Sequence, residues 1–258
     1  MNNLELKQLT EELIDTFLIA GKVSKDFSAK GLKITIKPDK SPVTDGDLEV
    51  DKILREKILN LTPNIPIISE ETVDFKVENK NKIFWLVDPI DGTRQYIKNE
   101  DEYTLNAALI INLKPTIGLI YAPKKDRLFF SYGKNLAFEI SNGNTKILNC
   151  KKVNTNEIIA LTNSDKMSEK VLQINKEHNS TLLTKMASSL KFCVLAAGEA
   201  DIYAAEARAF EWDIAAGHAI LLHSGGSVTT HDGEDIIYGK KNYKNLSLIA
   251  KRSSNLIL

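Results

Sequence analysis

Apolar and polar positions along the first sixty residues recur with the period of an α-helix. The spacing predicts an amphipathic helix over about residues 4–27, whose apolar face consists of Leu6, Leu9, Leu13, Phe17 and Ala20. Thr44 and Asp47 have the spacing of a capping box, which predicts that a second helix runs from about residue 45 to about residue 60. Pro63 follows this helix and ends it.

Short apolar runs predict the strands. They cover Ile34–Ile36, Ile65–Ile68, Ile83–Val87 and Ile158–Leu161. Between Thr104 and Ile140 the turn residues recur so regularly that we expect an antiparallel meander. Two further helices are predicted at Met167–His178 and Trp212–Leu222. The polar stretch Ser141–Glu157 predicts a boundary between an N-terminal domain, 1–150, and a C-terminal domain, 151–258.

Composition narrows the class of protein. The chain carries 34 Lys+Arg against 34 Asp+Glu, and this balance argues against a nucleic acid polymer as partner. Cys150 and Cys193 stand far apart, so neither a zinc site nor a disulfide framework is expected, and a reducing compartment is favoured. The sequence shows no secretory signal and no apolar run long enough to span a bilayer. We therefore expect a cytoplasmic protein, and peripheral association with the membrane stays compatible with the sequence. The expected oligomeric state is a monomer or a homodimer.

Carboxylates follow or begin the predicted elements at four places. Glu70 comes directly after one strand, Asp88 and Asp91 after the next, Asp213 at the start of a late helix, and Asp47 at the start of the second helix. Such chain ends are where the sites of α/β proteins gather. Capping a helix is the alternative role of Asp47 and Asp213, and it is compatible with ligation.

Oxygen ligands with neither His nor Cys nearby favour Mg²⁺ over zinc. Pro89 biases Asp88 towards an extended backbone, and Gly92 permits a sharp turn, so Asp88 and Asp91 can face one space. If the four carboxylates cluster in a partly buried site, they could not all stay ionised without a compensating positive charge; the four are Glu70, Asp88, Asp91 and Asp213. Two divalent cations would balance them, in the arrangement that enzymes use for in-line phosphoryl displacement. The sequence therefore predicts a magnesium-dependent phosphoryl site.

The acidic motifs resemble those of the lithium-sensitive, metal-dependent phosphatase superfamily that includes the inositol monophosphatases. The matching stretches are Ser69–Glu71, Asp88–Thr93, Trp212–Gly217 and Lys40–Thr44 with Asp47, all in the family's order. Finer similarity is to the CysQ-type 3'(2'),5'-bisphosphate nucleotidases, in Asp91–Lys98, Tyr103–Asn106, Ile120–Pro123 and Ser188–Cys193. The resemblance implies a layered α/β/α/β/α sandwich of the sugar-phosphatase type, with two sheets flanked by helices.

The same resemblance implies a role for each matching residue. Glu70, Asp88 and the Ile90 carbonyl would hold one Mg²⁺, while Asp88, Asp91 and Asp213 would hold a second; two or three ions are expected. Gly92 and Thr93 would present backbone N–H groups to the scissile phosphate. Thr93, paired with Asp47, would orient and deprotonate the attacking water. The implied reaction is hydrolysis of adenosine 3',5'-bisphosphate to AMP and phosphate.

The nucleotide side departs from the family pattern at one position. Ser188 and Lys191 match the residues expected at the second phosphate of the nucleotide, but Ala205 stands where many CysQ-type sequences carry an arginine. Arg208 is a candidate replacement. Glu206 stands where inositol monophosphatases carry a sugar-binding glutamate, so an inositol or sugar monophosphate phosphatase is the alternative enzyme. A catalytically silent nucleotide-binding regulator is the non-enzyme alternative.

Overall fold

The computed structural model of the chain describes residues 1–150 and 157–253. Its helices are α1 (Asn3–Lys30), α2 (Asp45–Leu61), α3 (Thr93–Ile97), α4 (Glu169–Glu177), α5 (Leu190–Ala196) and α6 (Glu211–Ser224). The strands of the N-terminal half are β1 (Ile34–Ile36), β2 (Pro42–Thr44), β3 (Ile67–Ser69), β4 (Ile83–Asp91), β5 (Thr104–Ile111), β6 (Lys114–Ala122), β7 (Arg127–Gly133), β8 (Leu136–Ser141) and β9 (Asn144–Ile147). Those of the C-terminal half are β10 (Ile159–Thr162), β11 (Leu182–Lys185), β12 (Ile202–Ala205), β13 (Ser227–Thr230) and β14 (Leu248–Lys251).

Strand pairing builds one large sheet, one smaller sheet and a hairpin. The seven strands β3 to β9 pair in sequence order, and all but the parallel β3–β4 pair are antiparallel. The five-stranded sheet has the order β11-β10-β12-β14-β13 and mixes parallel and antiparallel pairs. The hairpin β1–β2 stands apart from both. The predicted meander is confirmed, and it extends through β9, beyond the expected end at Ile140.

The core consists of layers because both faces of the large sheet are apolar. Trp85 and Val87 of β4 pack in the cluster that holds the buried face of α1, whereas Phe84 and Leu86 pack in the cluster that holds α5 and α6. The second cluster continues into one face of the five-stranded sheet, and α4 covers its other face. The order of layers is therefore helix, sheet, helix, sheet, helix. This confirms the predicted α/β/α/β/α sandwich.

Helix α6 is apolar on all sides because it lies between the two sheets. It lies so close to β6 that a Cβ on Gly118 would come within 2.3 Å of the Ala216 carbonyl oxygen. Only a glycine allows the helix and the strand to approach this closely. The packing fixes the N-terminus of α6, where Asp213 lies, relative to the large sheet.

The predicted helices and strands are found with small shifts at their ends. The first helix extends to Lys30, and the predicted strand Ile83–Val87 continues to Asp91. The predicted border after residue 150 adjoins residues 151–156, which lie outside the described residues, so the two-domain division stays a prediction. Among the helices that the structure describes, none has the length and apolarity needed to cross a bilayer.

Candidate metal and phosphate site

Three carboxylates from three elements converge at the edge of the large sheet. Glu70 follows β3, Asp88 lies in β4 and Asp213 lies in the first turn of α6. Each offers a carboxylate oxygen within 4.8 Å of the others. Within residues 1–150 and 157–253, this is the one such grouping of His, Cys, Asp or Glu side chains. The parallel pairing of β3 with β4 places the first two acids side by side, and the sandwiched helix brings the third.

A bulge in β4 lets Asp88 and Asp91 act at one place. In a regular strand, residues three apart point to opposite faces. Here Asp88 pairs with Asn106 and Asp91 with Thr104, so β4 has one residue more than β5 over this interval. The extra residue, at Pro89-Ile90, reverses the alternation. Proline has no backbone N–H to donate to a neighbouring strand, and Pro89 is tolerated at the bulge because the strand pairing is interrupted there.

Among the described residues, Asp88 is the acid of this trio that is buried without a hydrogen-bond partner. Its side chain is fully buried, and neither carboxyl oxygen has a hydrogen-bond partner in the part of the chain that the structure describes. Burial and then the neighbouring carboxylates, Glu70 first, raise its pKa well above the usual value. Burial followed by Asp91 and Glu70 does the same to the pKa of Asp213. A buried acid without partners among other acids matches a hard divalent cation, so the donor set fits Mg²⁺.

Asp91 lies beside this trio and is held differently. Its Oδ2 accepts a hydrogen bond from the Ser189 backbone N–H at 2.5 Å. Burial raises the pKa of Asp91 to about 6, while the nearby Lys191 ammonium and the Ser189 hydrogen bond oppose the rise. Asp91 therefore lies within electrostatic range of both the acidic trio and the Lys191 ammonium. The Ile90 carbonyl oxygen, the remaining predicted ligand, lies 3.2 Å from the Thr93 hydroxyl, whose single proton is shared between this oxygen and Asp47 Oδ1.

Asp47 and Thr93 meet as a pair. The Thr93 hydroxyl lies 3.3 Å from Asp47 Oδ1, to which it donates. Asp47 Oδ2 also accepts from the Thr44 backbone N–H at 2.9 Å, which completes the predicted capping box. Burial raises the pKa of Asp47 to about 6. Capping thus holds the carboxylate in place and leaves its other oxygen facing Thr93.

Gly92 starts α3 in the left-handed backbone region, at φ 89°. A side chain there would be strained, and its Cβ would lie 3.1 Å from the Glu102 carbonyl oxygen. The turn places Gly92 and Thr93 in the wall of the same cleft as Glu70, Asp91 and Asp213.

The cleft has a volume of about 610 Å³, and residues of both halves of the chain line it. Lys191 is buried, with 5% of its surface exposed, and burial lowers its pKa to about 8. Its ammonium donates to the Ser188 carbonyl oxygen and lies 5.0 Å from the centre of the Tyr203 ring. Arg208 is exposed and lines the cleft within electrostatic range of Lys191. The predicted nucleotide residues thus share the cleft with the acids.

Glu206 also lines the cleft, but both of its carboxylate oxygens are engaged. Oε1 accepts from the Ser168 hydroxyl at 2.5 Å and Oε2 from the Ser247 hydroxyl at 3.2 Å. These hydrogen bonds lower the pKa of Glu206. Each oxygen keeps a second lone pair, so Glu206 can accept a further hydrogen bond while it is held by the two serines.

Lys37 is a site residue that the sequence analysis missed. Its ammonium lies 3.0 Å from Glu70 Oε1 and 2.8 Å from Glu71 Oε1. Burial raises the pKa of Glu71 to about 7, and Lys37 limits that rise. The one hint in the sequence is a lysine between the strand Ile34–Ile36 and Pro38, which places a long cationic side chain at a turn. Nothing in the spacing indicates that this turn faces Glu70.

Comparison with known proteins places the chain in a family. The model of the inositol monophosphatase family matches residues 5–256. A protein of Buchnera aphidicola subsp. Acyrthosiphon pisum, named 3'(2'),5'-bisphosphate nucleotidase CysQ, is 35% identical over 82% of this chain and 79% of its own length. The protein of that name from Escherichia coli O157:H7 is 34% identical over 81% of this chain and 85% of its own.

A solved structure supports the same assignment. The crystal structure of CysQ from Bacteroides thetaiotaomicron, described as a bacterial member of the inositol monophosphatase family, superposes with a TM-score of 0.77. It is 27% identical, and the match covers 94% of this chain and 96% of that one. The fold, the converging carboxylates and the match over residues 5–256 agree, and the chain belongs to the inositol monophosphatase family.

Proposed function

We propose that this protein is a Mg²⁺-dependent phosphatase that hydrolyses the 3'-phosphate of adenosine 3',5'-bisphosphate to give AMP and phosphate. One observation carries the proposal: the unpartnered, fully buried Asp88 lies within 4.8 Å of Glu70 and Asp213, and these two acids line a cleft that the buried cation Lys191 also lines. A substrate with two phosphates fits such a cleft, because one phosphate needs a metal and the other needs a fixed positive charge. The names of the curated relatives agree with this substrate.

The residues proposed to hold the metals are those that the family resemblance implied. Glu70, Asp88 and the Ile90 carbonyl would hold one Mg²⁺, and Asp88, Asp91 and Asp213 the second. When bound, Mg²⁺ would supply Lewis-acid chemistry, which withdraws charge from the phosphoryl oxygens and lowers the pKa of water. Two ions is our proposed number, and a calorimetric titration with Mg²⁺ measures it directly.

The chain's own residues position and deprotonate the water. The Thr93 hydroxyl accepts the hydrogen bond of a water facing the phosphorus and donates its own proton towards Asp47 Oδ1, as it does in the structure. Asp47, whose pKa is raised to about 6, can accept that proton near neutral pH. The Gly92 and Thr93 backbone N–H groups, at the start of α3, face the phosphoryl oxygens. Lys191 and Ser188 bind the 5'-phosphate, and Arg208 stands in for the absent arginine at Ala205.

An inositol or sugar monophosphate phosphatase is the second candidate. In that role the Glu206 carboxylate would accept from substrate hydroxyls as well as from Ser168 and Ser247. The buried Lys191, however, would have no phosphate to bind in a monophosphate. This cation and the names of the curated relatives favour the nucleotide. The silent regulator is not favoured, because the predicted water-activating pair is assembled.

Phosphate release with and without Mg²⁺ tests the proposal. We expect turnover of adenosine 3',5'-bisphosphate that EDTA abolishes and that Asp88→Asn lowers by orders of magnitude. We also expect kcat/KM for this substrate to exceed that for inositol 1-phosphate more than about tenfold, or roughly 1.4 kcal/mol in transition-state binding. Turnover in metal-free enzyme would contradict the mechanism, and a preference for inositol 1-phosphate would contradict the substrate. Nucleotide binding without turnover would favour the regulator. A cytoplasmic location and the monomer or homodimer stay predictions of the sequence.

A further inference from the structure

A short loop of the C-terminal half hydrogen-bonds to two carboxylates of the N-terminal half. We call residues Met186–Ser189 the 186–189 loop. Its Ala187 N–H donates to Glu102 Oε2 at 2.8 Å, and its Ser189 N–H donates to Asp91 Oδ2 at 2.5 Å. The loop therefore contributes a hydrogen bond to Asp91, a residue proposed to bind metal, from an element distant in sequence.

The Ser189 side chain fixes the loop in this position. It is buried, with 2% of its surface exposed. Its Oγ donates to Asn106 Oδ1 at 2.8 Å and shares a second hydrogen bond with Thr104 Oγ1, also at 2.8 Å. Thr104 and Asn106 are the β5 residues opposite Asp91 and Asp88. The hydroxyl thus binds the loop to the strand that pairs with the metal-binding stretch of β4.

Asp91 is the proposed metal-binding acid that this loop contacts. Its carboxylate lies beside the trio of Glu70, Asp88 and Asp213, and it is the cause that, after burial and Glu70, raises the pKa of Asp88 most. The residue before Ser189 also has an unfavourable backbone: Ser188 lies in the left-handed region, at φ 53°. A non-glycine residue keeps such a conformation only where its surroundings hold it. Loss of the Ser189 hydroxyl would free the loop to relax and would release Asp91 Oδ2.

From this geometry we infer that Ser189 is a positioning residue of the metal site: its hydroxyl, bonded to Thr104 and Asn106, holds its backbone N–H on Asp91 and so orients that carboxylate for a divalent cation. The inference rests on the proposed metal-dependent function. Hydrogen-bonding partners of metal ligands typically contribute about 10–100-fold to metal affinity. The Ser189 hydroxyl bonds to Thr104 and Asn106, so the inferred effect on the cation passes through the position of Asp91.

The test compares metal affinity with catalytic rate in Ser189→Ala. Mg²⁺ binding is measured by calorimetry on the metal-free protein, and kcat is measured at saturating Mg²⁺. We expect Mg²⁺ affinity to fall about tenfold or more, while kcat at saturating Mg²⁺ falls much less. Ser131→Ala is the matched control, since Ser131 is equally buried and bonds through its hydroxyl to His223 Nδ1, away from the acids. It should leave Mg²⁺ affinity unchanged.

A second pair of variants tests the inference even if Ser189→Ala folds poorly. Thr104→Val keeps the shape of the side chain but removes the hydroxyl that bonds to Ser189, so Mg²⁺ affinity should fall. Thr104→Ser keeps that hydroxyl and should bind Mg²⁺ as tightly as the unaltered protein. Unchanged Mg²⁺ affinity in both Ser189→Ala and Thr104→Val would overturn the inference. Equal losses in Ser131→Ala would assign the effect to general stability and would also overturn it. Failure of the unaltered protein to bind Mg²⁺ would instead contradict the proposed function.

Discussion

Replacing Asp88 by asparagine should stabilise the metal-free protein while abolishing its activity. The substitution keeps the shape of the side chain and removes an ionisable group that is buried without a partner among other carboxylates. A substitution in a buried core usually destabilises a protein, so the expected sign is unusual and belongs to this site.

The magnitude follows from charge and distance. Two unit charges at 4.8 Å repel by about 3.5 kcal/mol at an effective dielectric constant of about 20. Burial and this repulsion raise the pKa of Asp88 above the value of about 3.9 that its unfolded counterpart has. A raised carboxyl pKa costs stability above the unfolded pKa, by at most about 1.4 kcal/mol for each pH unit and thus at most about 5 kcal/mol near pH 7.5. We expect Asp88→Asn to recover stability on the order of the repulsion and below this bound.

The sign of the pH dependence distinguishes this explanation from others. A carboxyl whose pKa is raised in the folded state contributes stability below its unfolded pKa, and this contribution is lost as pH rises. The pKa values of Asp88 and Asp213 are raised well above normal, and that of Asp91 to about 6. Metal-free protein should therefore gain stability on acidification from about pH 7.5 to about pH 5.5, and the advantage of Asp88→Asn should shrink over that interval.

Urea denaturation in EDTA and in Mg²⁺, at several pH values, measures these effects. Mg²⁺ at about 100 times its Kd should stabilise the unaltered protein by roughly 2.7 kcal/mol and Asp88→Asn far less. Asp201→Asn is the matched control: this acid is equally buried but lies 2.5 Å from Arg252, so its loss should destabilise the fold at every pH. An Asp88→Asn variant that is no more stable than the unaltered protein in EDTA near pH 7.5 would refute the electrostatic argument.

Three further predictions concern the pair that faces the water, the cation and the core. Thr93→Val should lower kcat by about 10²–10⁴-fold with unchanged Mg²⁺ affinity by calorimetry, because the hydroxyl transfers a proton and is not a ligand; a matching loss of affinity would contradict this. Burial lowers the pKa of Lys191 to about 8, so its ammonium loses its charge above that pH and kcat/KM for adenosine 3',5'-bisphosphate should fall there. The substrate 3'-AMP lacks the 5'-phosphate and should not show this decline. The Lys191→Met variant should not show it either, and its kcat/KM for adenosine 3',5'-bisphosphate should be roughly 10–100-fold lower at every pH. Phe17→Ala, at a fully buried position of α1, should cost about 3–5 kcal/mol in urea denaturation while leaving kcat of the folded enzyme unchanged; a change in kcat would show that α1 affects the site.

Local sequence patterns were sufficient for the elements and for the identity of the acids. The helix periodicity predicted α1, and the spacing of Thr44 and Asp47 predicted the cap that the structure shows. Both depend on interactions between residues close in sequence, which is why they can be recognised without a tertiary structure. The layered fold was expected from the motifs and is confirmed by the packing.

Other features lay outside what a local pattern can show. The sequence indicated that Lys191 and Arg208 belong to one side of the site, but not that Lys191 is buried or that Arg208 lines the cleft. It gave no indication that Lys37 would bond to Glu70 and Glu71. Such contacts form between residues distant in sequence, and their geometry depends on how whole layers pack.

The amino-acid sequence by itself determined which residues carry charge, where helices begin and strands end, and the order of the family's motifs along the chain. The tertiary structure alone decided that Glu70, Asp88 and Asp213 would come within 4.8 Å, since a bulge, a parallel strand pair and a sandwiched helix must all be in place. The physical reason is that burial and mutual repulsion depend on three-dimensional distance. An acid becomes a metal ligand through the neighbours that folding gives it.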